Sequence, residues 1–149
     1  PMTRSKRMEP VVEVTVQRER EAAKRLGEAQ QRMQAAEQRL DELVRYRDEY
    51  TQQFANGGSL TAARLRDYRI FLDRLNQAVE QQRTLLVRAQ QEAETHRQRW
   101  LDTRTRVQAL GKVVERYRVE ERSQHERRLQ KESDQHTLNV RDRNRDEDE

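Results

Sequence analysis

The sequence predicts an all-α fold, an antiparallel two-helix coiled coil: a long αα-hairpin in which helix 2 extends beyond helix 1. Three observations carry that prediction. Between Leu65 and Gln124, bulky or apolar residues recur at alternating steps of three and four (Leu65, Tyr68, Leu72, Leu75, Val79, then on through Leu86, Trp100, Leu110 and Val114), and the residues between them are mostly Arg, Gln, Glu and Asp. That is the heptad seam of one long helix. A second seam with the same steps runs through Leu26, Ala29, Met33, Ala36, Leu40, Leu43, Arg47, Tyr50 and Phe54. A single short break, Ala55-Asn56-Gly57-Gly58-Ser59, separates the two, and a linker of that length folds the second helix back antiparallel on the first.

Taken in order, residues 1–10 are polar, basic and unpatterned, and are expected to form a flexible N-terminus. Pro1 stands ahead of Met2 and reads as a remnant before the natural start. Arg4, Lys6 and Arg7 have no apolar stretch behind them, so no signal peptide is expected in this stretch. Pro10 suits the first turn of a helix, where its missing N–H costs nothing, and helix 1 is expected over about 11–54. Its first turns carry Val12 and Val16, followed by a weaker Glu19 and Ala22. Gly27, beside the seam, costs about 1 kcal/mol of helix propensity; a close contact with the partner helix is one explanation. In the turn, 55–59, Asn and Gly tolerate the left-handed conformation that ends a helix, and Ser59 or Thr61 caps the next one. Helix 2 is expected over about 60–134, so the coiled-coil hairpin spans 11–134. Residues 135–149 lose the pattern and are expected to be a disordered charged tail.

Composition agrees with this reading. The chain is 39% charged and 32% hydrophobic, too little apolar material for a compact core but enough for one apolar stripe per helix. Periodic placement and the abundance of Ala, Leu, Glu, Arg and Gln separate it from plain disorder. The absence of cysteine excludes a disulfide frame or thiolate metal site and fits a reducing cytosol. The longest apolar runs, such as Leu85-Leu86-Val87, are far too short to cross a membrane.

Registered about Gly57, the hairpin puts Ala36 near Ala78, Ala29 near Leu85 and Leu86, and Val12 near Asp102. Helix 1 then runs out, and roughly 30 further residues of helix 2 have no partner from the same chain. That overhang keeps its stripe (Val107, Leu110, Val114, Tyr117). Over His96–Lys131 there are eleven Lys and Arg against five Asp and Glu, a net +6. An exposed apolar stripe rimmed with arginine needs a partner.

Catalytic chemistry is not in view. His96, His125 and His136 are too dispersed to share a metal; His96 and Trp100 read as seam packing, and Glu121 with His125 as a solvated pair at i, i+4. Gly27, Gly57, Gly58 and Gly111 cannot assemble a phosphate-cradling loop. A two-helix hairpin offers no deep pocket to shelter a nucleophile. No enzyme, cofactor or metal site is expected. Nucleic-acid binding needs clustered cations or aromatic platforms, whereas here the arginines alternate with Gln and acids and the aromatics Trp100 and Tyr117 lie on the seam. No nucleic acid is therefore expected as partner.

An ordered series of short stretches carries a further signal: Met8-Glu9-Pro10-Val11-Val12, Glu21-Ala22-Ala23-Lys24-Arg25-Leu26-Gly27, Ala36-Glu37-Gln38-Arg39-Leu40, Tyr46-Arg47-Asp48-Glu49-Tyr50, Tyr68 through Val79, Gln81-Gln82 and Arg99-Trp100. Over about 8–130 this series resembles the FliJ family, small coiled-coil components of the bacterial flagellar type III export apparatus. The resemblance implies a rod similar to the central gamma stalk of rotary ATPases. Its implied partners are the hexameric export ATPase FliI, whose ring assembly it promotes, the regulator FliH, the cytoplasmic domain of the export gate FlhA, and the export chaperones. The implied location is cytoplasmic, peripheral at the inner membrane at the flagellar base. The family's gate contact follows a Phe, Leu, Ala, His pattern; this chain offers Phe71, Leu75, Ala78 and then Gln82, which keeps hydrogen bonding but has no titratable ring. Candidate ring contacts come from the overhang and from no family motif: Arg104, Arg106, Leu110, Val114, Tyr117 and Arg118. Alternatives are the equivalent stalk of a virulence type III system, a generic dimerising coiled coil, and a nucleic-acid binder.

Overall fold

The computed structural model describes residues 2–148, so the expectations for Pro1 and Glu149 lie outside the described residues. Among the described residues there are two helices, α1 (Arg4–Asn56) and α2 (Ala62–Glu147), and no strand. The seam is where the sequence puts it. Every expected position of α1 from Val12 to Phe54 is buried or half-buried, and so is every one of α2 from Leu65 to Glu121; Gln124 alone is exposed. Burial of one stripe per helix is what holds two such polar helices together, since propensity alone does little.

The helices contribute to two compact units, one of residues 19–103 and one of residues 2–18 with 104–148. In the first, Ala29, Leu75, Val79 and Ala93 form the buried core, and Val79 is fully enclosed. Polar contacts fix its register. Gln82 Nε2 donates to the Ala36 carbonyl at 3.0 Å, Trp100 Nε1 donates to Glu19 Oε1 at 2.9 Å, and Arg47 Nη1 donates to Asn76 Oδ1 at 3.3 Å. These pairs correct the expected register. Gln82, not Ala78, reaches Ala36, and Glu19 meets Trp100, where the register that put Val12 near Asp102 would put Val14, so α2 sits roughly one helical turn from the expected pairing. The cause is the turn: the helices stop at Asn56 and resume at Ala62, so the reversal falls in 57–61 and not 55–59.

Gly58 takes the left-handed conformation at φ 82°, the state only glycine adopts freely. Of the two capping candidates, Thr61 does the work, its Oγ1 accepting the Arg64 N–H at 3.1 Å. Arg64 also reaches back: its guanidinium donates to Gly57 O (2.6 Å), Ser59 O (3.0 Å) and Phe54 O (3.5 Å) and lies 5.1 Å from the Phe54 ring centroid. The end of α1 has carbonyls with no intrahelical donor, and this cation supplies donors for the reversal.

In the second unit the core is Val114 with Ser5, flanked by half-buried Met8, Val12, Val16, Val107, Leu110 and Tyr117. The expectation that Val107 to Tyr117 lacks a partner is therefore corrected, because α1 begins at Arg4 instead of Val11. Pro10 lies inside the helix and not in its first turn. The extra turns stand because Thr3 caps them, its Oγ1 accepting the Lys6 N–H at 3.4 Å, and because Ser5 is bonded to Glu121. Helix 2 does extend beyond helix 1, with every described residue from Gln124 onward exposed. Residues 135–147, expected to be a disordered tail, continue α2; after Gly111 no Gly or Pro interrupts it.

Candidate interaction surfaces

The four residues of the expected gate contact do not share one exposed face. Leu75 is 7% exposed and belongs to the seam. Gln82 spends its amide on the Ala36 carbonyl. Phe71 and Ala78, half-buried, sit beside the seam. Phe71 is also part of an aromatic group at the turn end. Its ring makes edge contacts with Tyr50 at 4.5 Å and Tyr46 at 6.3 Å between centroids, while Tyr68 stacks on Phe54 at 3.8 Å and on Tyr50 at 5.5 Å. Offset and edge-on rings of this kind add to the stability that burial alone provides. The stretches Tyr46–Tyr50 and Tyr68–Leu72, noted in the sequence only for their resemblance, are thus the two sides of one packed cluster.

The six candidate ring contacts divide in the same way. Leu110, Val114 and Tyr117 are taken into the seam, and Arg104, Arg106 and Arg118 are exposed. Arg4 of α1 lies over the Tyr117 ring, 5.7 Å from its centroid, within cation–π range. Together, residues 2–18 and 104–131 carry thirteen Lys and Arg against six Asp and Glu, a net +7. What this end offers a partner is charge, not an open apolar stripe.

Sequence reasoning missed the pairing of Ser5 with Glu121. Read as half of a solvated pair with His125, Glu121 instead accepts the Ser5 N–H on Oε1 at 3.0 Å and the Ser5 hydroxyl on Oε2 at 2.7 Å. The Ser5 hydroxyl bond above all, then its N–H bond, and the nearby Arg118 charge hold the Glu121 carboxyl below its ordinary range. A depressed carboxyl stabilises the folded state above its unfolded pKa and loses that contribution as pH falls through the folded one. The Ser5 amide resonance should therefore titrate with a midpoint below the usual glutamate range, and Glu121→Gln should abolish that titration. A midpoint at or above the ordinary value would contradict the bond.

His96 is half-buried on the seam, one turn before Trp100. Among the described residues, no group of three His, Asp or Glu is placed to hold a metal ion, and no helix is long and apolar enough to cross a membrane.

A family model described as Flagellar FliJ protein matches residues 4–145. No curated protein matches the chain, and no solved structure does.

Proposed function

This chain belongs to the flagellar FliJ protein family and is a component of the flagellar export apparatus, and we propose that within it the chain is a nonenzymatic stalk. In this reading its basic end binds the centre of the hexameric export ATPase FliI, which FliH regulates, and promotes ring assembly. The chain also contacts the FlhA cytoplasmic domain and the export chaperones, at the cytoplasmic face of the inner membrane. The observation that carries the reading is the net +7 end whose apolar stripe is already occupied by α1. Arg104, Arg106 and Arg118 are the ring contacts, while Leu110, Val114 and Tyr117 act beneath them by holding α1 on α2. At the gate surface, Phe71 and Ala78 are the accessible contacts, and Leu75 and Gln82 keep that part of α2 in register.

The test is ATPase activity and ring assembly of FliI against concentration of this chain. Stimulation should saturate near one chain per hexamer. Changing Arg104, Arg106 and Arg118 together to Glu should weaken association roughly tenfold or more, at least about 1.4 kcal/mol, with helicity by circular dichroism unchanged. Undiminished association of that triple variant would sink the assignment.

A further inference from the structure

The first turn of α1 is fastened with more care than an end that frays. Thr3 caps it, and its carbonyl accepts the Arg7 N–H at 3.1 Å. Ser5 is only 9% exposed. Its N–H, one of the first-turn donors with no partner in its own helix, goes to Glu121, as does its hydroxyl. Arg4 covers Tyr117, one turn from Glu121 on the same face of α2. Two neighbouring residues of α1 are thereby fixed to two stacked residues of α2. The fastening is needed, because Pro10 removes the N–H that would bond the Lys6 carbonyl and weakens α1 at this point.

Its consequence is the placement of charge. Residues 2–8 hold three cations, Arg4, Lys6 and Arg7, and no acid, and all three are exposed. The clasp sets them at the same end as Arg118. We propose that the first turn of α1 is part of the surface by which the basic end meets its partner. Arg4, Lys6 and Arg7 are contacts to a carboxylate-lined protein surface, and Ser5 and Glu121 are positioning residues that hold those cations in place. A protein is favoured over nucleic acid because the cations of α2 at this end are interleaved with Glu115, Glu120, Glu121 and Glu126, and because Tyr117 lies under Arg4 and the Trp100 indole is bonded to Glu19, so neither is offered as a stacking platform. The inference rests on the reading that this end binds the export ATPase.

The experiment measures binding of the full chain to purified FliI hexamer over a range of salt, for wild type, Lys6→Glu with Arg7→Glu, Glu121→Ala, and all three changes together. The charge-reversed pair should bind about tenfold or more weaker and depend less on salt. Glu121→Ala separates positioning from charge by its sign, since it removes both acceptors of Ser5, whereas a Gln there could keep both bonds through its own oxygen and N–H. It makes the end more positive, so charge alone predicts tighter binding to an acidic partner, whereas loss of the clasp predicts weaker binding, about fivefold. Hydrogen exchange at residues 4–8 should rise in the same variant. With the clasp gone, reversing Lys6 and Arg7 should cost much less than it does in wild type, a non-additivity expected of coupled groups. Binding by Glu121→Ala as tight as or tighter than wild type, or additive losses, overturns the inference while leaving the ring reading in place. Wild-type chain that binds duplex DNA better than FliI at equal salt overturns the protein partner. Wild-type chain that does not bind FliI at any salt overturns the ring reading itself.

Discussion

Replacing Val79 by Asp should lower the unfolding free energy by about 3–5 kcal/mol, the cost of leaving a buried charge without a partner. Val79 is fully enclosed on the seam, with Leu72, Leu75, Gln82 and Leu86 on the turns either side. The cation in reach along the helix is Arg83 at i+4, but it is exposed and already paired with Glu80, so it compensates the new carboxylate only in small part. Val79→Ala should cost less, about 2–3 kcal/mol, from lost burial and the cavity left behind. The control lies eight residues away: Val87 is 50% exposed, and Val87→Asp should change stability by no more than about 0.5 kcal/mol. Urea unfolding followed by circular dichroism and by Trp100 fluorescence distinguishes the three. Similar midpoints for the aspartates at 79 and 87 would mean that the seam does not hold the helices together.

That contrast shows why so much of the fold was legible. A heptad seam is a local, repeating signal, so residues seven apart report the same face whatever lies at the far end of the chain. Val79 and Val87 are the same residue type in similar surroundings, and period alone tells them apart. Register is a different kind of fact. It depends on where the reversal falls, and Gly57, Gly58, Ser59 and Thr61 allowed more than one placement; the choice among them moved the partner of Ala36 from Ala78 to Gln82. The start of α1 was harder still. Ser5 and Glu121 are 116 residues apart in sequence, and neither stands in a pattern that names the other. Pro10 pointed to a later start, because the local rule that places proline in a first turn was outweighed by a cap at Thr3 and a bond to a distant carboxylate. The candidate surfaces followed the same division. Arg104, Arg106 and Arg118 were readable as exposed cations from their position off the seam. The role of Leu110, Val114 and Tyr117 could be judged only once α1 was known to reach them.

The turn yields the second large effect. Arg64→Ala removes donors to the carbonyls of Phe54, Gly57 and Ser59 and the cation over the Phe54 ring, and should cost about 1–2 kcal/mol. Gly57→Ala should cost about 2 kcal/mol by overpacking, although Gly57, unlike Gly58, does not sit in the left-handed region. A methyl group at position 57 would run into the Arg64 guanidinium and stand 2.9 Å from the Gln53 carbonyl oxygen. The flexible guanidinium gives way first, so Gly57→Ala destroys much of what Arg64→Ala removes. The two losses therefore overlap, and the double variant should be less destabilised than the sum of the singles by about 1 kcal/mol. Gly58→Ala strains a left-handed residue by about 1–2 kcal/mol without touching Arg64, and should add to Arg64→Ala in full. Equal coupling of Gly57 and Gly58 to Arg64 would show that the turn responds only to backbone freedom. Coupling confined to Gly57 makes Arg64 the clamp, a cation from the first turn of α2 that closes the end of α1 and sets where the helices reverse. Because the reversal point fixes every pairing along the seam, losing the clamp should also loosen the Gln82 bond to Ala36, seen as faster exchange of the Gln82 side-chain amide.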